Sequence, residues 1–415
     1  MPEETKRETA VLAGIFNSSK TDPCATEETM LELAELAKTA GAEVVASVLQ
    51  PRPAPDAATY FGSGKLEELR ELCANLEATL IICDDELSGS QLRNIENAVG
   101  VRVIDRTTLI LDIFAMRALS KEGKLQVELA QLKYMMPRLS GMHEGLSRLG
   151  GGIGTRGPGE TKLESDRRHI RTRISHLKRE LDEVELRRGY ARDRRKKDGV
   201  LTVALAGYTN AGKSSILNYL TDAGTLAENK LFATLDPLSR VLTLPDDREI
   251  ILIDTVGFIR KLPHHLVNAF KSTLDEISCS DVILNVVDFS NPEHITHLNV
   301  SRDLLCSLGC ENTPQITVYN KCDTAETVPP SKGANEIYVS AKSGENMQEL
   351  LKLICINLPQ TKVRMTLLIP YAKAGLEQQL REDGFVKSAD YEESGIKITA
   401  DIDKKAVYKY EQFKI

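Results

Sequence analysis

The stretch that most constrains this chain is Gly207-Tyr208-Thr209-Asn210-Ala211-Gly212-Lys213-Ser214, which matches the phosphate-binding pattern G-x-x-x-x-G-K-[ST]. An apolar run, Val200 to Ala206, precedes it and can form a buried strand, while Ser215 to Leu220 continues as a helix. Strand, glycine loop and helix in that order commit this part of the chain to an α/β layer built on a parallel sheet. Gly207 and Gly212 let the backbone fold tightly with its N–H groups toward phosphate oxygens, and the new helix adds its dipole. Lys213 is expected to reach the β- and γ-phosphates, and Ser214 to hold Mg2+. A glycine-rich turn that matches by chance is the bland alternative, and the rest of the sequence decides between them.

Three downstream elements follow in a telling order. Ile250 to Ile253 reads as a buried strand ending in Asp254-Thr255-Val256-Gly257, where Asp254 can hold Mg2+ and the Gly257 N–H can meet a γ-phosphate. Ile316 to Tyr319 is strand-like and ends in Asn320-Lys321-Cys322-Asp323; Ile337 to Val339 ends in Ser340-Ala341-Lys342. The set resembles the five-motif signature of GTP-binding proteins. By that resemblance Asp323 accepts hydrogen bonds from guanine, Asn320 and Lys321 brace the base, and Ala341, between Ser340 and Lys342, offers its N–H to O6. Adenine would leave the carboxylate unpaired, a defect worth a factor of about 10⁴. GTP and GDP are the expected ligands, with Mg2+ as cofactor.

Phe232-Ala233-Thr234-Leu235-Asp236-Pro237 lies where the first switch belongs. Thr234 is the expected ligand of Mg2+ and γ-phosphate, Phe232 is placed beside the nucleotide, and Ser215 completes the loop. The catalytic set is Lys213, Thr234, Gly257 and Asn210. Phe258 stands where Ras-type enzymes carry a glutamine that positions water, so hydrolysis should be slow until a partner completes the site. Asn210 has two open readings, a ligand of K+ or a loop hydrogen bond.

At 415 residues, with 41% apolar and 27% charged side chains, several domains with large cores are possible. Eight scattered cysteines show neither metal-site spacing nor disulfide density. Without a signal-peptide core or an apolar run of membrane length, a cytoplasmic protein is expected, with peripheral membrane association as the alternative, and monomeric when free.

The domains expected are an N-terminal α/β domain at 1–117, a helical hairpin at 118–198, a GTP-binding domain at 199–358 and a small C-terminal α/β domain at 364–415. The first should have strands at Thr9 to Phe16, Glu43 to Leu49, Thr79 to Cys83 and Val101 to Ile104. Helices are expected at Thr26 to Lys38, Lys65 to Leu76 and Ser88 to Ala98, the last opened by a Ser88/Gln91 capping box. Gly62-Ser63-Gly64-Lys65 lacks the full phosphate-loop spacing and reads better as a turn into a helix.

The hairpin rests on two narrow apolar seams: Leu125, Leu129, Leu132, Met136, Leu139, and Ile170, Ile174, Leu177, Leu181, Val184. A glycine-rich loop, 140–161, joins them, and Arg138, Arg148 and Arg156 favour a probe over an inert connector. Residues 156–197 hold 15 Lys and Arg against 8 Asp and Glu, a local +7 against −7 for the whole chain. That segregation favours an RNA-phosphate surface, with Arg148, Arg156, Arg167, Arg168 and Arg171 as candidate contacts. Aromatic residues are scarce there, so shape and backbone are the expected targets.

Further motifs carry a wider resemblance: Phe61 to Lys65, Asp84-Asp85-Glu86-Leu87-Ser88, Asp105-Arg106-Thr107, Glu122 to Leu129, Arg156 to Glu160, Asp166-Arg167-Arg168, Phe232 to Pro237 and Asp254 to Ile259. Together they resemble the HflX family of ribosome-associated GTPases over nearly the full chain. The resemblance implies binding to the large ribosomal subunit, the glycine-rich loop approaching the peptidyl-transferase region, splitting of stalled ribosomes, and ribosome-stimulated hydrolysis. It also implies a weak secondary ATPase, to be sought at Gly62 to Lys65. An RNA-modifying or RNA-remodelling GTPase and a protein adaptor are the competing readings.

Overall fold

The computed structural model describes residues 8–17, 23–142, 158–221, 231–232, 236–261, 263, 266, 271–325, 333–360, 362–392, 394–404 and 406–415. They fall into two compact units, Met1–Lys196 with Val200–Cys355, and Lys197–Gly199 with Ile356–Ile415.

The first unit begins with a parallel sheet of order β2-β1-β3-β4, formed by β1 (Thr9–Phe16), β2 (Glu43–Pro51), β3 (Leu80–Cys83) and β4 (Arg102–Asp105). Alternation along the strands feeds two cores: Ala10, Leu12, Leu80 and Ile82 face one side, Val11, Ala13, Ile81 and Cys83 the other. Helices α1 (Pro23–Thr39) and α4 (Arg106–Arg117) cover the first face through Leu33, Leu36, Ile110 and Ile113. Helices α2 (Ser63–Asn75) and α3 (Gly89–Val99) cover the second through Leu66, Leu69 and Ile95. The capping box is present: the Gln91 N–H donates to Ser88 Oγ at 3.2 Å and the Ser88 N–H to Gln91 Oε1 at 3.0 Å. Gly62 to Lys65 is a turn into α2, with Lys65 paired to Glu68 at 2.7 Å.

Helices α5 (Lys121–Met142) and α6 (Pro158–Asp198) follow. Leu125, Leu129, Ile174 and Leu177 are buried against each other, flanked by Leu132, Met136, Ile170 and Leu181. Glu122 pairs with Arg188 at 2.9 Å and Glu128 with Arg173 at 2.6 Å, so the two helices run in opposite directions. Arg138 corrects one expectation: it is not a free cation near the tip. Its guanidinium lies 3.4 Å from the Tyr134 ring centroid and donates to the Leu87 carbonyl at 2.6 Å and Asp105 at 3.1 Å, fastening α5 to the N-terminal sheet.

The second sheet, order β10-β9-β8-β5-β7-β6, comprises β5 (Leu201–Gly207), β6 (Leu238–Thr243), β7 (Glu249–Asp254), β8 (Val282–Asp288), β9 (Gln315–Asn320) and β10 (Glu336–Tyr338). All pairings are parallel except that of β6 with β7. Helices α7 (Lys213–Thr221), α8 (Lys271–Ser278), α9 (His294–Ser307) and α10 (Met347–Asn357) accompany it. One continuous core runs from Leu33, Ile110 and Phe114 through Tyr208, Phe232, Phe258 and Ile259 to Leu274 and Ile283, so Tyr208 after β5, Phe232 and the residues after β7 abut the N-terminal sheet's helices.

The second unit is an antiparallel sheet of order β11-β13-β12, from β11 (Lys362–Ile369), β12 (Gly384–Glu392) and β13 (Gly395–Asp403). Its core gathers Leu367, Ile369, Leu380 of α11 (Gly375–Asp383), Ile398, Ile402 and Tyr410 of α12 (Val407–Tyr410). Among the described residues no helix is long and apolar enough to cross a membrane.

Candidate nucleotide site

The loop from Gly207 to Lys213 leaves the carboxyl end of β5, the strand between β7 and β8, and turns directly into α7. That is the crevice in which open α/β sheets bind ligands. Gly207 (φ +138°) and Gly212 (φ +92°) take backbone conformations that side chains rarely adopt. Space is equally restrictive, since a Cβ on Gly207 would meet the Val286 carbonyl at 2.1 Å and one on Gly212 the Asn320 amide at 2.1 Å. Asn210 is exposed with φ +60°, a left-handed turn that asparagine tolerates.

Lys213 is buried, and its ammonium donates to the carbonyls of Gly207 (3.1 Å) and Tyr208 (2.8 Å). Burial pushes its pKa down to about 8, partly opposed by Asp254. Ser214 Oγ donates to the buried Asp254 carboxylate at 2.6 Å. An uncharged hydroxyl and a carboxylate beside a phosphate loop form the all-oxygen set that Mg2+ selects, so the residues fit that ion.

The two turns expected to read the base converge on the same edge. Asn320, buried, donates to the Ala211 carbonyl at 2.9 Å and accepts the Ala341 N–H at 3.1 Å, joining the phosphate loop to the Ser340-Ala341-Lys342 turn. Buried Ser340 donates to Asp323 at 2.7 Å, while the Asp323 residue stays exposed. Lys321 (φ +66°) pairs with Asp288 at 2.6 Å, at the end of β8. Ser215 lies half-buried on the first turn of α7, Lys342 is exposed, and Thr255 donates to the Leu205 carbonyl at 2.6 Å.

Gly257 and Phe258, where the second switch is expected, lie against the loop after β5. The Phe258 N–H donates to the Gly207 carbonyl at 3.0 Å and the Thr209 N–H to the Phe258 carbonyl at 2.8 Å; the Phe258 ring is buried. A Cβ on Gly257 would come within 2.7 Å of Thr209 Cγ2 and 3.1 Å of Lys213 Nζ. Phe232 turns its side chain into the core. Its ring is buried edge-on against Phe114 of α4, 4.7 Å between centroids, because the adjoining core offers an apolar socket. Asp236, at the other end of the same motif, accepts the N–H groups of Leu119 (2.9 Å) and Ser120 (2.8 Å) at the foot of α5. Thr234 lies outside the described residues, as do Arg148 and Arg156. Arg168 and Arg171 are exposed on α6, and Arg167 is half-buried.

Around Tyr208 of the loop gather His297, Glu32 and Lys261, none of which the sequence marks for a role. Tyr208 is buried, stacks on His297 at 3.8 Å between centroids, and donates its hydroxyl to Glu32 of α1. Burial, with Arg260 nearby, drives the His297 pKa down to about 4, so its ring is neutral. Glu32 and Asp84 are both gripped by the buried Arg106, at 2.6 and 2.7 Å, and Lys261 of the second switch donates to Asp84 and Asp85. Burial opposes the Asp84 charge, but Arg106 and Lys261 outweigh it and hold its carboxyl below the usual range. The motifs around Asp84 and Arg106 were visible in the sequence; their partners across the chain were not.

Family models match three consecutive segments: "GTP-binding GTPase N-terminal" over residues 27–115, "GTP-binding GTPase Middle Region" over 117–195 and "50S ribosome-binding GTPase" over 202–321. GTPase HflX of Caldanaerobacter subterraneus subsp. tengcongensis is 52% identical over 396 residues, 95% of this chain and 91% of the relative. The chain belongs to the HflX family of GTPases. GTPase HflX of Escherichia coli is 39% identical over 394 residues, 94% of this chain and 92% of its own. A crystal structure of a GTP-binding protein from Sulfolobus solfataricus in complex with GDP is 26% identical, covers 84% of this chain and 98% of that one, and has a TM-score of 0.45. As an HflX-family member the chain is a GTP-hydrolysing enzyme, and the oxygen donors Ser214 and Asp254 suit the Mg2+ that GTPases use.

Proposed function

We propose that this GTPase binds the large ribosomal subunit, separates the subunits of stalled or stressed ribosomes, and is stimulated by the ribosome to hydrolyse GTP. The observation that carries this reading is the 41-residue helix Pro158–Asp198, which presents Arg168, Arg171, Lys178, Arg179 and Arg187 as exposed cations while its apolar seam is spent on α5. Such a segregated basic face suits phosphate-rich RNA. The family model over 202–321, described as a ribosome-binding GTPase, supports the same partner.

In this reading Lys213 and the loop N–H groups of residues 207–214 bind the β- and γ-phosphates. Ser214, Asp254 and Thr234 hold Mg2+, which neutralises phosphate charge. Asp323 reads guanine, with Asn320, Lys321 and Ala341 fixing its loop. Phe258 brings no polar group to a water, and its buried ring leaves water positioning to the ribosome. Asn210 serves as a K+ ligand, and the domain boundaries follow the four segments of the sequence reading.

The test is the GTPase rate of the full chain with and without large subunits at low salt, alongside light scattering of intact ribosomes. Stimulation with GTP-dependent subunit separation is expected. An unchanged rate, or equally tight binding to isolated tRNA, refutes the ribosomal reading.

A further inference from the structure

The Tyr208 side chain leaves the phosphate loop and enters the N-terminal domain. Its hydroxyl donates to Glu32 and accepts the Arg260 N–H of the second switch at 2.8 Å. Its main chain lies in a short ladder, because the Gly207 carbonyl and the Thr209 N–H on either side of it are both bonded to Phe258. One side chain thus ties three elements together: the phosphate loop, the second switch and α1.

The anchor for that tie is rigid. Arg106, 2% exposed, holds Glu32 and Asp84 at once, and Asp84 with Asp85 takes the ammonium of Lys261, three residues beyond Phe258. Arg260 is itself held between Glu28 and Glu293, at 3.0 Å to each. Two successive cations of the second switch are therefore fixed by carboxylates, and three of the four groups that receive them belong to the N-terminal domain.

The ladder has a consequence for ligand size. A Cβ built on Gly257 would already meet Thr209 at 2.7 Å and the Lys213 ammonium at 3.1 Å, so the closed ladder leaves little room for a γ-phosphate that would contact both the Gly257 N–H and Lys213. A diphosphate ends one group earlier and makes no such demand. We propose that Glu32, fixed by Arg106, is a positioning residue that sets nucleotide preference: by holding Tyr208 and the second switch closed over the phosphate loop, it favours GDP over GTP. By linkage, a partner that draws the N-terminal domain away from Tyr208 raises GTP affinity by the same factor that GTP raises partner affinity. The inference requires the GTP site alone and is independent of the ribosomal reading.

The experiment measures the affinities of the full-length protein for fluorescent GDP and a fluorescent non-hydrolysable GTP analogue, with Mg2+ present. Tyr208→Phe keeps the ring on His297 and removes the hydroxyl; Glu32→Gln keeps the shape and removes the charge. Each is expected to improve the GTP-analogue affinity relative to GDP by about tenfold, the equivalent of one hydrogen bond of about 1.4 kcal/mol. Lys261→Met, which cuts the second attachment without touching Tyr208, should shift the ratio in the same direction. A merely structural tie would weaken both ligands equally or change only the melting temperature. An unchanged ratio in folded Tyr208→Phe and Lys261→Met proteins overturns the proposal, whereas failure of the wild type to bind GDP would instead overturn the site.

Discussion

Lys213→Met separates binding from stability in a way the structure makes quantitative. Burial pulls the Lys213 pKa from 10.5 to about 8. A shift of that size amounts to about 3 kcal/mol between the two protonation states, at about 1.36 kcal/mol per unit. Between pH 8 and 10.5 the unfolded chain keeps a proton that the folded protein has released, so stability rises with pH across this window. The penalty is fully present below about pH 8 and gone above 10.5. Against it stand the hydrogen bonds to Gly207 and Tyr208, which return roughly 1–3 kcal/mol. In nucleotide-free protein Lys213→Met should therefore be neutral or stabilising at pH 7.5, while nucleotide binding is lost. The assay is urea unfolding of wild type and variant from pH 7.5 to 10, followed by their difference, which cancels the other lysines and tyrosines. Wild type should gain about 2 kcal/mol relative to the variant between pH 7.5 and 10. Saturating GTP with Mg2+ should flatten that gain, because phosphate charge restores the ammonium. A pH-independent difference without nucleotide would refute the argument.

Three further outcomes are expected. Gly212→Ala forces a left-handed alanine into the Asn320 amide, 2.1 Å away, and should cost at least tenfold in GTP affinity by calorimetry, from about 1–2 kcal/mol of backbone strain alone. Asp323→Asn should exchange guanine for xanthine preference in competition binding, since the group that accepts from the base edge would become a donor; unchanged GTP selectivity would remove Asp323 from the base-reading role. Asp236→Ala leaves the Leu119 and Ser120 N–H groups without their carboxylate and should lower stability by about 1–2 kcal/mol, seen as a reduced melting temperature.

The placing of Gly207 to Ser214, Asn320 to Asp323 and Ser340 to Lys342 on one edge of the sheet was legible because each is a contiguous run that follows a recognisable strand. The hairpin seam was legible because a narrow apolar stripe repeats along both helices. Helix α4 gave no such signal: seven of its twelve residues are buried, so it lacks a polar face to mark its period. Strand β12, by contrast, is mostly exposed and offers little apolar alternation. The ties among Glu32, Asp84, Arg106, Tyr208 and Lys261 span up to 177 residues, and nothing local in a carboxylate names a cation that far away.

At about 1.5 Å per residue, the 41-residue helix α6 reaches roughly 60 Å, while its lower end is braced by Arg195 on Glu276 and leads within three residues into β5. Geometry turns that length into gain. Because α5, which shares its seam, is fastened to the N-terminal sheet through Arg138, a swivel of about 5° would carry the far end through roughly 5 Å only together with that sheet. A chemical event the size of one phosphate could thus be felt as a stroke wide enough to clear or block a passage.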